Sequence, residues 1–432
     1  MVQWQPDPTF YPSPRLATQA PAERLGYVAT LNVGTGRPDG MAVVDLDPSS
    51  SDYSKVVSTL DLPYQDDELH HFGWNACSSA LCPFAPHPHL ERRYLIVPTL
   101  RTSRIYVIDT KPDPYHPQLV KTIEPEQVLS RTGYSRLHTV HCGPDAIYLN
   151  GIGSADGGAP GGIFQLDHYT FEPLGAWELD HGPQSLAYDF WWHMGHDVVV
   201  TSEWGTPEMF ENGVRLEDVV GQRFGHRLHF WEWRRRRHLQ AVELGPEHQM
   251  VLELRPAHNP AQAYGFVGVV VSTNDLSSSV WVWHQQNGQW AAIKVIEIPA
   301  EPADPGLLPA ALKDLGTVPP LITDIDLSVD DRFLYVSCWG TGELRQYDVS
   351  DPFHPRHTGT VQVGGIARRA SHSASGPLLG GPQMVEISRD GRRVYTTNSL
   401  YSSWDDQFYP GLTGWMVKIN TDPDGGMALD PG

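Results

Sequence analysis

Short apolar segments alternate with turns rich in Gly, Pro and Asp along most of the chain. The repeating unit contains an apolar strand ending in small or polar residues, a turn, and an alternating strand ending in Asp. Segments 95–109 and 334–348 show this unit, and nearly the same pentapeptide follows each, DPYHP at 113–117 and DPFHP at 351–355. Self-similarity at roughly 40–70 residues, with several short strands per unit, is typical of a β-propeller.

The repeat count gives seven blades, with six or eight as the alternatives. A single blade cannot bury both faces of its sheet, whereas a closed ring of blades buries them and leaves no long open edge. We therefore predict an all-β, single-domain, seven-bladed propeller over residues 25–432, preceded by a Pro-rich extended arm at 1–24. The seven units start near Leu25, Asp67, Arg136, Gln184, Met250, Leu321 and Gln383.

Three longer segments rich in Gly, Pro and Ser interrupt the repeats, at 205–226, 300–320 and 364–381. We expect these insertions to lie on the faces of the propeller. Residues 307–315, LLPAALKDL, are predicted to form one short helix inside the second insertion.

The charge balance excludes several classes of partner. Fifty-one acidic residues oppose 31 basic residues, and the formal net charge is −20. This charge disfavours nucleic acid and anionic membranes, because binding to either depends on cationic contacts with phosphate. No apolar run approaches the length of a membrane span and no signal peptide is evident, so we expect a cytoplasmic protein. The four cysteines form no C-x-x-C pair, which indicates reduced thiols. The oligomeric state is left open.

The densest chemistry lies at residues 66–79, where three carboxylates precede His70 and His71 and no helical or strand period is visible. The next repeat carries His138 and His141, and a bend in that strand would turn both rings toward one centre. Several imidazoles without a thiolate set suit copper or zinc best. Because the chain has 20 histidines, such pairs also arise by chance. Their matching positions in neighbouring repeats bring the metal interpretation level with the structural one.

The carboxylates and thiols near these histidines each have more than one possible role. The carboxylates would orient imidazoles or serve as turn and cap residues. Cys77 is either a reactive thiol or a small buried hydrophobe, whereas Cys338 lies in an apolar strand and is predicted to be core. Cys142 directly follows His141, and its direction is not determined. The carboxylates are Asp67, Glu68, Asp189 and Asp324.

A set of motifs spread over most of the chain resembles the selenium-binding protein family, whose bacterial members include methanethiol oxidase. These motifs are DELHHFGWN at 67–75, SRIYV at 103–107, LHTVH at 137–141, YDFW at 188–191, SEW at 202–204, HNP at 258–260, ITDI at 322–325, DRFLY at 331–335, LRQYD at 344–348, GPQM at 381–384 and SLYSSWD at 399–405. The resemblance implies a β-propeller, in agreement with the repeat count. It also implies a copper enzyme that converts methanethiol, oxygen and water into formaldehyde, hydrogen sulfide and hydrogen peroxide.

The resemblance also assigns roles to residues. The family's candidate copper ligands correspond to His70, His71, His138 and His141. We expect Glu68 or Asp324 to move protons, Trp74 and Phe72 to form an apolar wall for a methyl group, and Cys77 to act as a thiol or selenium site.

The sequence departs from the family pattern at two places. Animal members carry a selenium-linked Cys where this chain has Ser54, so selenium would have to use Cys77. A terminal segment resembling H-E-x-R-Y-P-G-G-D is expected but does not follow residue 432, so we expect either a truncated sequence or a divergent member. This second departure favours the alternative function, a non-catalytic propeller that binds selenium or metal and serves as a platform for a protein partner.

Overall fold

Short β-strands make up most of the structure, a computed structural model that describes residue 11 and residues 13–76, 90–368 and 370–432. In chain order the strands are β1 (Leu25–Thr30), β2 (Pro38–Asp45), β3 (Val56–Gln65), β4 (Gly73–Trp74), β5 (Tyr94–Pro98), β6 (Ile105–Asp109), β7 (Gln118–Ile123), β8 (Tyr134–Cys142), β9 (Ile147–Ser154), β10 (Gly162–Leu166), β11 (Pro173–Ala176), β12 (Phe190–His193), β13 (Val198–Ser202), β14 (Arg227–Glu232), β15 (Arg237–Glu243), β16 (His248–Pro256), β17 (Tyr264–Ser272), β18 (Ser278–Gln286), β19 (Gln289–Ile298), β20 (Glu301–Pro302), β21 (Thr317–Val318), β22 (Ile322–Leu327), β23 (Phe333–Cys338), β24 (Glu343–Asp348), β25 (Arg356–Gln362), β26 (Ala370–His372), β27 (Gly376–Leu378), β28 (Val385–Ile387), β29 (Arg393–Thr397), β30 (Met416–Thr421) and β31 (Met427–Leu429).

The strands form the seven blades that the repeat count predicts. One antiparallel sheet has three strands, β1-β2-β3, and six have four, namely β4–β7, β8–β11, β12–β15, β16–β19, β22–β25 and β28–β31. The hairpins β20–β21 and β26–β27 stand outside these sheets. The first strands of most successive four-stranded blades contact one another, namely β4 with β8, β12 with β16, β16 with β22 and β22 with β28, so they line the centre of the ring. The prediction of a single-domain, seven-bladed propeller is therefore confirmed.

The ring closes through side chains. Every sheet of the described chain is built from consecutive strands, so the first and last blades share none. Instead, Glu23 accepts hydrogen bonds from Arg393 Nε and Nη2 at 2.6 and 2.9 Å, and the Tyr395 hydroxyl donates to the same carboxylate. The apolar part of this joint packs Val44 and Leu46 against Tyr395.

β-Bulges interrupt several of the inner strands where they line the ring. The register shifts between Leu137 and Val140 in β8, and between Val251 and Leu254 in β16. A bulge inserts an extra residue and re-aims the side chains beside it. These bulges position His138 and Glu253, which belong to the site described below.

The helices are short and lie at the ends of strands or in the insertions. They are α1 (Pro14–Ala17), α2 (Pro125–Thr132), α3 (Pro207–Phe210), α4 (Leu216–Val220) and α5 (Ser402–Phe408), with 3₁₀ turns at Met194–His196 and Pro305–Leu307. The described part of the predicted N-terminal arm therefore contains one helical turn. No helix among the described residues is long and apolar enough to cross a membrane.

The helix predicted at 307–315 is wrong. The 3₁₀ turn ends at Leu307, and the residues after it form turns closed by Leu312 N–H to Pro309 C=O and Leu315 N–H to Leu312 C=O. Pro309 disfavours helical geometry in the residue before it, and Leu308 is indeed extended, with φ −89° and ψ 141°.

The three insertions pack into one hydrophobic cluster on one face of the propeller. The first contributes Met209 and Phe210, the second Leu308 and Leu312, and the third the partly buried Ile366. The same cluster contains buried aromatic residues from the inner ends of the blades, which are Tyr188, Trp204, Trp339, Tyr401 and Trp404. The insertions therefore form a cap over the centre of this face, as expected for segments placed on a propeller face.

Candidate metal centre

Three histidines from neighbouring blades converge at the centre of the ring. His70 and His71 precede β4, and His138 lies in the bulge of β8. Ring centroids are 4.7 Å apart for His70 and His71, 5.0 Å for His70 and His138, and 4.2 Å for His71 and His138. One nitrogen from each ring lies within 4.8 Å of the other two. Three of the four predicted ligands are therefore brought together.

The backbone before the pair is held firmly in place. Glu68 adopts a positive φ of 59°, which turns the chain into the channel. The Leu69 N–H then donates to Asp39 Oδ2 at 3.1 Å, and Leu69 bridges to Thr99 of β5's connecting loop. These contacts explain why the stretch has no period in the sequence, since its polar groups serve neighbouring blades.

The structure does not bring His141 into this group. The bulge between Leu137 and Val140 turns His138 inward, whereas the His141 ring lies 4.1 Å from the Trp191 ring and 5.1 Å from that of Phe190. A bend is therefore present where we expected one, but it separates the two rings.

Hydrogen bonds fix how two of the imidazoles present their nitrogens. Thr139 Oγ1 donates to Asp189 Oδ1 at 2.9 Å, so it accepts from His138 Nδ1, also at 2.9 Å. That arrangement protonates Nδ1 and leaves the lone pair on Nε2. The imidazole of His70 is likewise hydrogen-bonded to the backbone of Leu400. Partners of this kind orient metal-binding histidines.

The electrostatic environment keeps the three imidazoles neutral. Burial and the nearby positive charge of Arg255 together lower the pKa of His71 to about 3. Burial also lowers the pKa of His70 and His138 well below the ordinary value, and the neighbouring imidazoles add to this effect. Neutral imidazole is the form that binds metal ions.

A carboxylate that the sequence analysis missed faces the group. Glu253 Oε1 lies 3.4 Å from His71 Nε2, and the Glu253 side chain is almost fully buried. Burial raises the pKa of Glu253, and Arg255 opposes that rise through a 3.2 Å ion pair. Burial and the Glu253 charge also raise the pKa of Asp189 to about 8. The signal in the sequence is two charged residues, Glu253 and Arg255, alternating within the apolar strand β16.

The other predicted carboxylates make structural contacts. Asp67 accepts from Tyr106 and Arg104. Asp324 Oδ1 accepts from Arg255 at 3.1 Å, and Oδ2 accepts from the Val385 N–H at 2.6 Å. The proposed role of Asp324 in proton movement stays a prediction.

Glu68 joins the second blade to the last one. Its carboxylate accepts from Arg101 Nε at 2.9 Å and from the Ser402 N–H and Oγ at 2.6 and 2.8 Å. Its predicted proton-moving role also stays a prediction. Cys77 lies outside the described residues, so neither its thiol role nor a selenium role is tested. Cys338 is fully buried in a hydrophobic cluster, as predicted for a core residue.

A small apolar cavity adjoins the three histidines. Its volume is about 10 Å³, which is the space that one water-sized molecule occupies. Tyr188 connects cavity and centre, because its ring lies 4.1 Å from that of His138. The cavity is lined by Tyr188, Trp204, Met250, Leu252, Val270, Leu321, Thr323, Trp339, Leu400 and Trp404.

The donor set fits a transition-metal ion. The Nε2 atoms of His70, His71 and His138 are buried, and none has a hydrogen-bond partner among the described residues. Buried polar atoms are rarely left unpaired, so three such atoms around one point require an explanation. Imidazole nitrogen is a favoured ligand of copper and zinc, and an ion bound by three protein ligands keeps an open position.

Fold and site together define a β-propeller with a buried three-histidine centre beside an apolar cavity. A family model described as 56kDa selenium binding protein (SBP56) matches residues 4–432, and the chain belongs to this family. The resemblance inferred from the sequence motifs is thereby confirmed.

Individual relatives extend over nearly the whole chain. A methanethiol oxidase of Xenopus tropicalis is 39% identical over 446 residues, covering 98% of this chain and 91% of that protein. Selenium-binding protein 3 of Arabidopsis thaliana is 39% identical over 445 residues, covering 98% and 90%. The X-ray structure of a hypothetical selenium-binding protein from Sulfolobus tokodaii is 60% identical, with a TM-score of 0.95 and coverage of 98% of this chain and 93% of that chain.

Proposed function

We propose that this chain is a copper-dependent methanethiol oxidase that converts CH₃SH, O₂ and H₂O into HCHO, H₂S and H₂O₂. The observation that carries the proposal is the convergence of three unpaired, buried imidazole nitrogens near a small apolar cavity. Relatives at 39% identity that are named methanethiol oxidase support the reaction class.

In this proposal His70, His71 and His138 hold the copper ion through Nε2. Copper, when bound, would act as a Lewis acid on the thiol sulfur and as a redox centre for electron transfer to oxygen. Substrate binding and proton transfer would be carried out by side chains of the protein.

The cavity selects a small apolar substrate. Its aromatic and aliphatic lining favours a methyl group over a charged or hydroxylated one. Most of the residues that line the cavity belong to the hydrophobic cluster to which the three insertions contribute, so we expect this cap to exclude bulk water. Exclusion of water strengthens electrostatic interactions inside the site and limits side reactions of the intermediates.

Glu253 is the group that we expect to take and return protons. It lies 3.4 Å from His71, and its burial favours the protonated form more than water does. A carboxyl group whose pKa is raised above its ordinary value is suited to general acid–base catalysis. Arg255 limits that rise and keeps the carboxylate accessible as a base.

The test is a parallel measurement of metal and turnover. His71→Ala is expected to remove copper, measured by mass spectrometry, and peroxide production from methanethiol to the same extent. His116→Ala is a matched control, because His116 is exposed and contacts only Asp113 among the polar partners in its turn. Turnover that survives the loss of copper would overturn the mechanism, and zinc in place of copper in an inert wild-type protein would indicate a structural site.

A further inference from the structure

A second pair of histidines lies at the end of the inner strand β12 and in the turn that follows it. His193 ends β12 and His196 ends the 3₁₀ turn that follows, so the local sequence is His-Met-Gly-His. Their ring centroids are 4.6 Å apart with an interplanar angle of 50°. His193 is fully buried, and His196 is half-buried.

The nitrogens of this pair are unusual for their environment. Both ring nitrogens of His193 and Nε2 of His196 are buried and lack a well-aligned hydrogen bond to any described residue, although the backbone of Asn259 is close enough to interact with the His193 ring. An ordinary buried histidine pair would share a proton or bond to nearby carbonyls, because an unpaired buried polar group costs about 1–3 kcal/mol. A bound ion would satisfy one nitrogen of each ring, and the other nitrogen of His193 has the backbone of Asn259 as its neighbour.

The turn that carries the pair is firmly held. β12 pairs with β13 from Phe190 to His193, and Asp197 ends the 3₁₀ turn. The Asp197 carbonyl accepts from the Trp233 N–H at 3.1 Å, and its carboxylate accepts from the Arg234 N–H at 3.2 Å. The two rings are therefore positioned by paired strands and a neighbouring hairpin, as a metal site requires.

The charges around the pair suit a cation. Burial and the neighbouring His196 lower the pKa of His193 to about 4, so His193 is neutral at physiological pH. Asp331 attracts positive charge at His193, and it is itself held by the N–H and Nδ1 of His258 at 2.7 and 2.9 Å.

The pair is distinct from the three-histidine centre. Asp189, which orients Thr139 beneath His138, comes four residues before His193, so the two sites are separated by roughly 13 Å along β12. A ligand at one site would not contact the other.

We propose that His193 and His196 form a second transition-metal site, which binds copper. Imidazole nitrogen suits copper, zinc and nickel, and Cu²⁺ forms the tightest complexes of the divalent first-row ions with such ligands. Two protein ligands leave positions for water or a small exogenous ligand. The proposal goes beyond the oxidase function and does not require it.

The experiment uses Cu²⁺ alone as the probe. The full chain is stripped with a chelator, loaded with Cu²⁺ and desalted, and copper per chain is measured by mass spectrometry. We expect two ions in the wild type, one in His193→Asn/His196→Asn, one in His138→Ala, and two in the exposed-histidine control His116→Asn. Electron paramagnetic resonance should show two Cu²⁺ signals in the wild type and in His116→Asn, whereas His193→Asn/His196→Asn and His138→Ala should each lose a different one.

The single variant His196→Asn protects the test against misfolding, because this side chain is only half-buried. We expect it to weaken the second site about 100-fold, since even the loss of an orienting partner costs 10–100-fold in metal affinity. Two ions retained in His193→Asn/His196→Asn would overturn the proposal, as would one ion in the wild type that only His138→Ala removes. One wild-type ion that survives His138→Ala but not His193→Asn/His196→Asn would support the second site and refute copper at the first.

Discussion

Replacing Arg255 with Met tests the electrostatic design of the channel. The Arg255 guanidinium forms ion pairs with Glu253 at 3.2 Å, Asp324 at 3.1 Å and Asp326 at 3.1 Å, and its side chain is only 12% exposed. Methionine preserves much of the volume but leaves three carboxylates without their cation. Removing one partner of a buried ion pair typically costs about 3–5 kcal/mol.

The cost has an upper limit, because a stranded carboxylate can bind a proton instead of remaining charged. Holding one Glu or Asp protonated at pH 7 costs about 4 kcal/mol, at about 1.4 kcal/mol per pH unit above its ordinary pKa. At pH 5 the same step costs about 1 kcal/mol. Burial already raises the pKa values of Glu253, Asp324 and Asp326, so the folded state binds protons more tightly than the unfolded chain. Stability therefore falls as pH rises, and the variant should show this more steeply.

The assay is urea unfolding of wild type and Arg255→Met at pH 5 and pH 7.5. We expect a loss in free energy of unfolding of about 3–5 kcal/mol at pH 7.5 and about 1–2 kcal/mol at pH 5. Arg345→Met is the matched control, because Arg345 pairs with one carboxylate, Glu343, at 2.7 Å. An equal loss at both pH values would refute the reasoning and indicate that Arg255 stabilises the fold by packing alone.

Three further substitutions test other parts of the molecule. Burial raises the pKa of Asp405 to about 7, so ionisation of this carboxyl destabilises the fold as pH rises from 4 to 7. Asp405→Asn should therefore make the melting temperature depend less on pH over that range. An unchanged pH dependence of the melting temperature would contradict this. Ser402→Ala removes the 2.8 Å hydrogen bond to buried Glu68 and should lower the free energy of unfolding by about 1.5–3 kcal/mol, measured by chemical denaturation. A loss below about 0.5 kcal/mol would show that water replaces the hydroxyl. A Cβ at Gly381 would clash with the backbone oxygen of Trp339, so Gly381→Ala should severely reduce the yield of folded protein. Gly414→Ala is the control, because a Cβ there would have no atom within 4 Å and the yield should not change. Equal yields of the two variants would be inconsistent with this packing.

The fold was predictable because every blade repeats the same pattern. The predicted unit starts lie within six residues of the first strands, for example Leu25 for β1 and Leu321 for β22. Each blade has to bury both faces of its sheet, so the apolar pattern recurs with each sheet. The helix predicted at 307–315 does not form because Pro309 favours an extended conformation at Leu308, and the apolar residues of this segment pack into the cap from turns.

The site was predictable only in part. Repeat alignment placed His71 and His138 at related positions, and both reach the centre. It could not place His141, because a bulge changes which face a side chain occupies and leaves no clear signal in the sequence. Glu253 escaped notice because its importance comes from a tertiary contact with His71, which arises only when two distant blades meet across the ring.

The ion pair between Glu23 and Arg393 closes the ring of blades, although no strand of the described chain is shared between the first and the last blade. These residues are 370 positions apart, so bringing them together costs about 5 kcal/mol in loop entropy before any contact forms. Within a blade, successive strands meet after short turns and the corresponding cost is small. Folding should therefore complete the individual sheets first and seal the circle last, and the seam between the first and last blades is where the ring should open first under denaturing conditions.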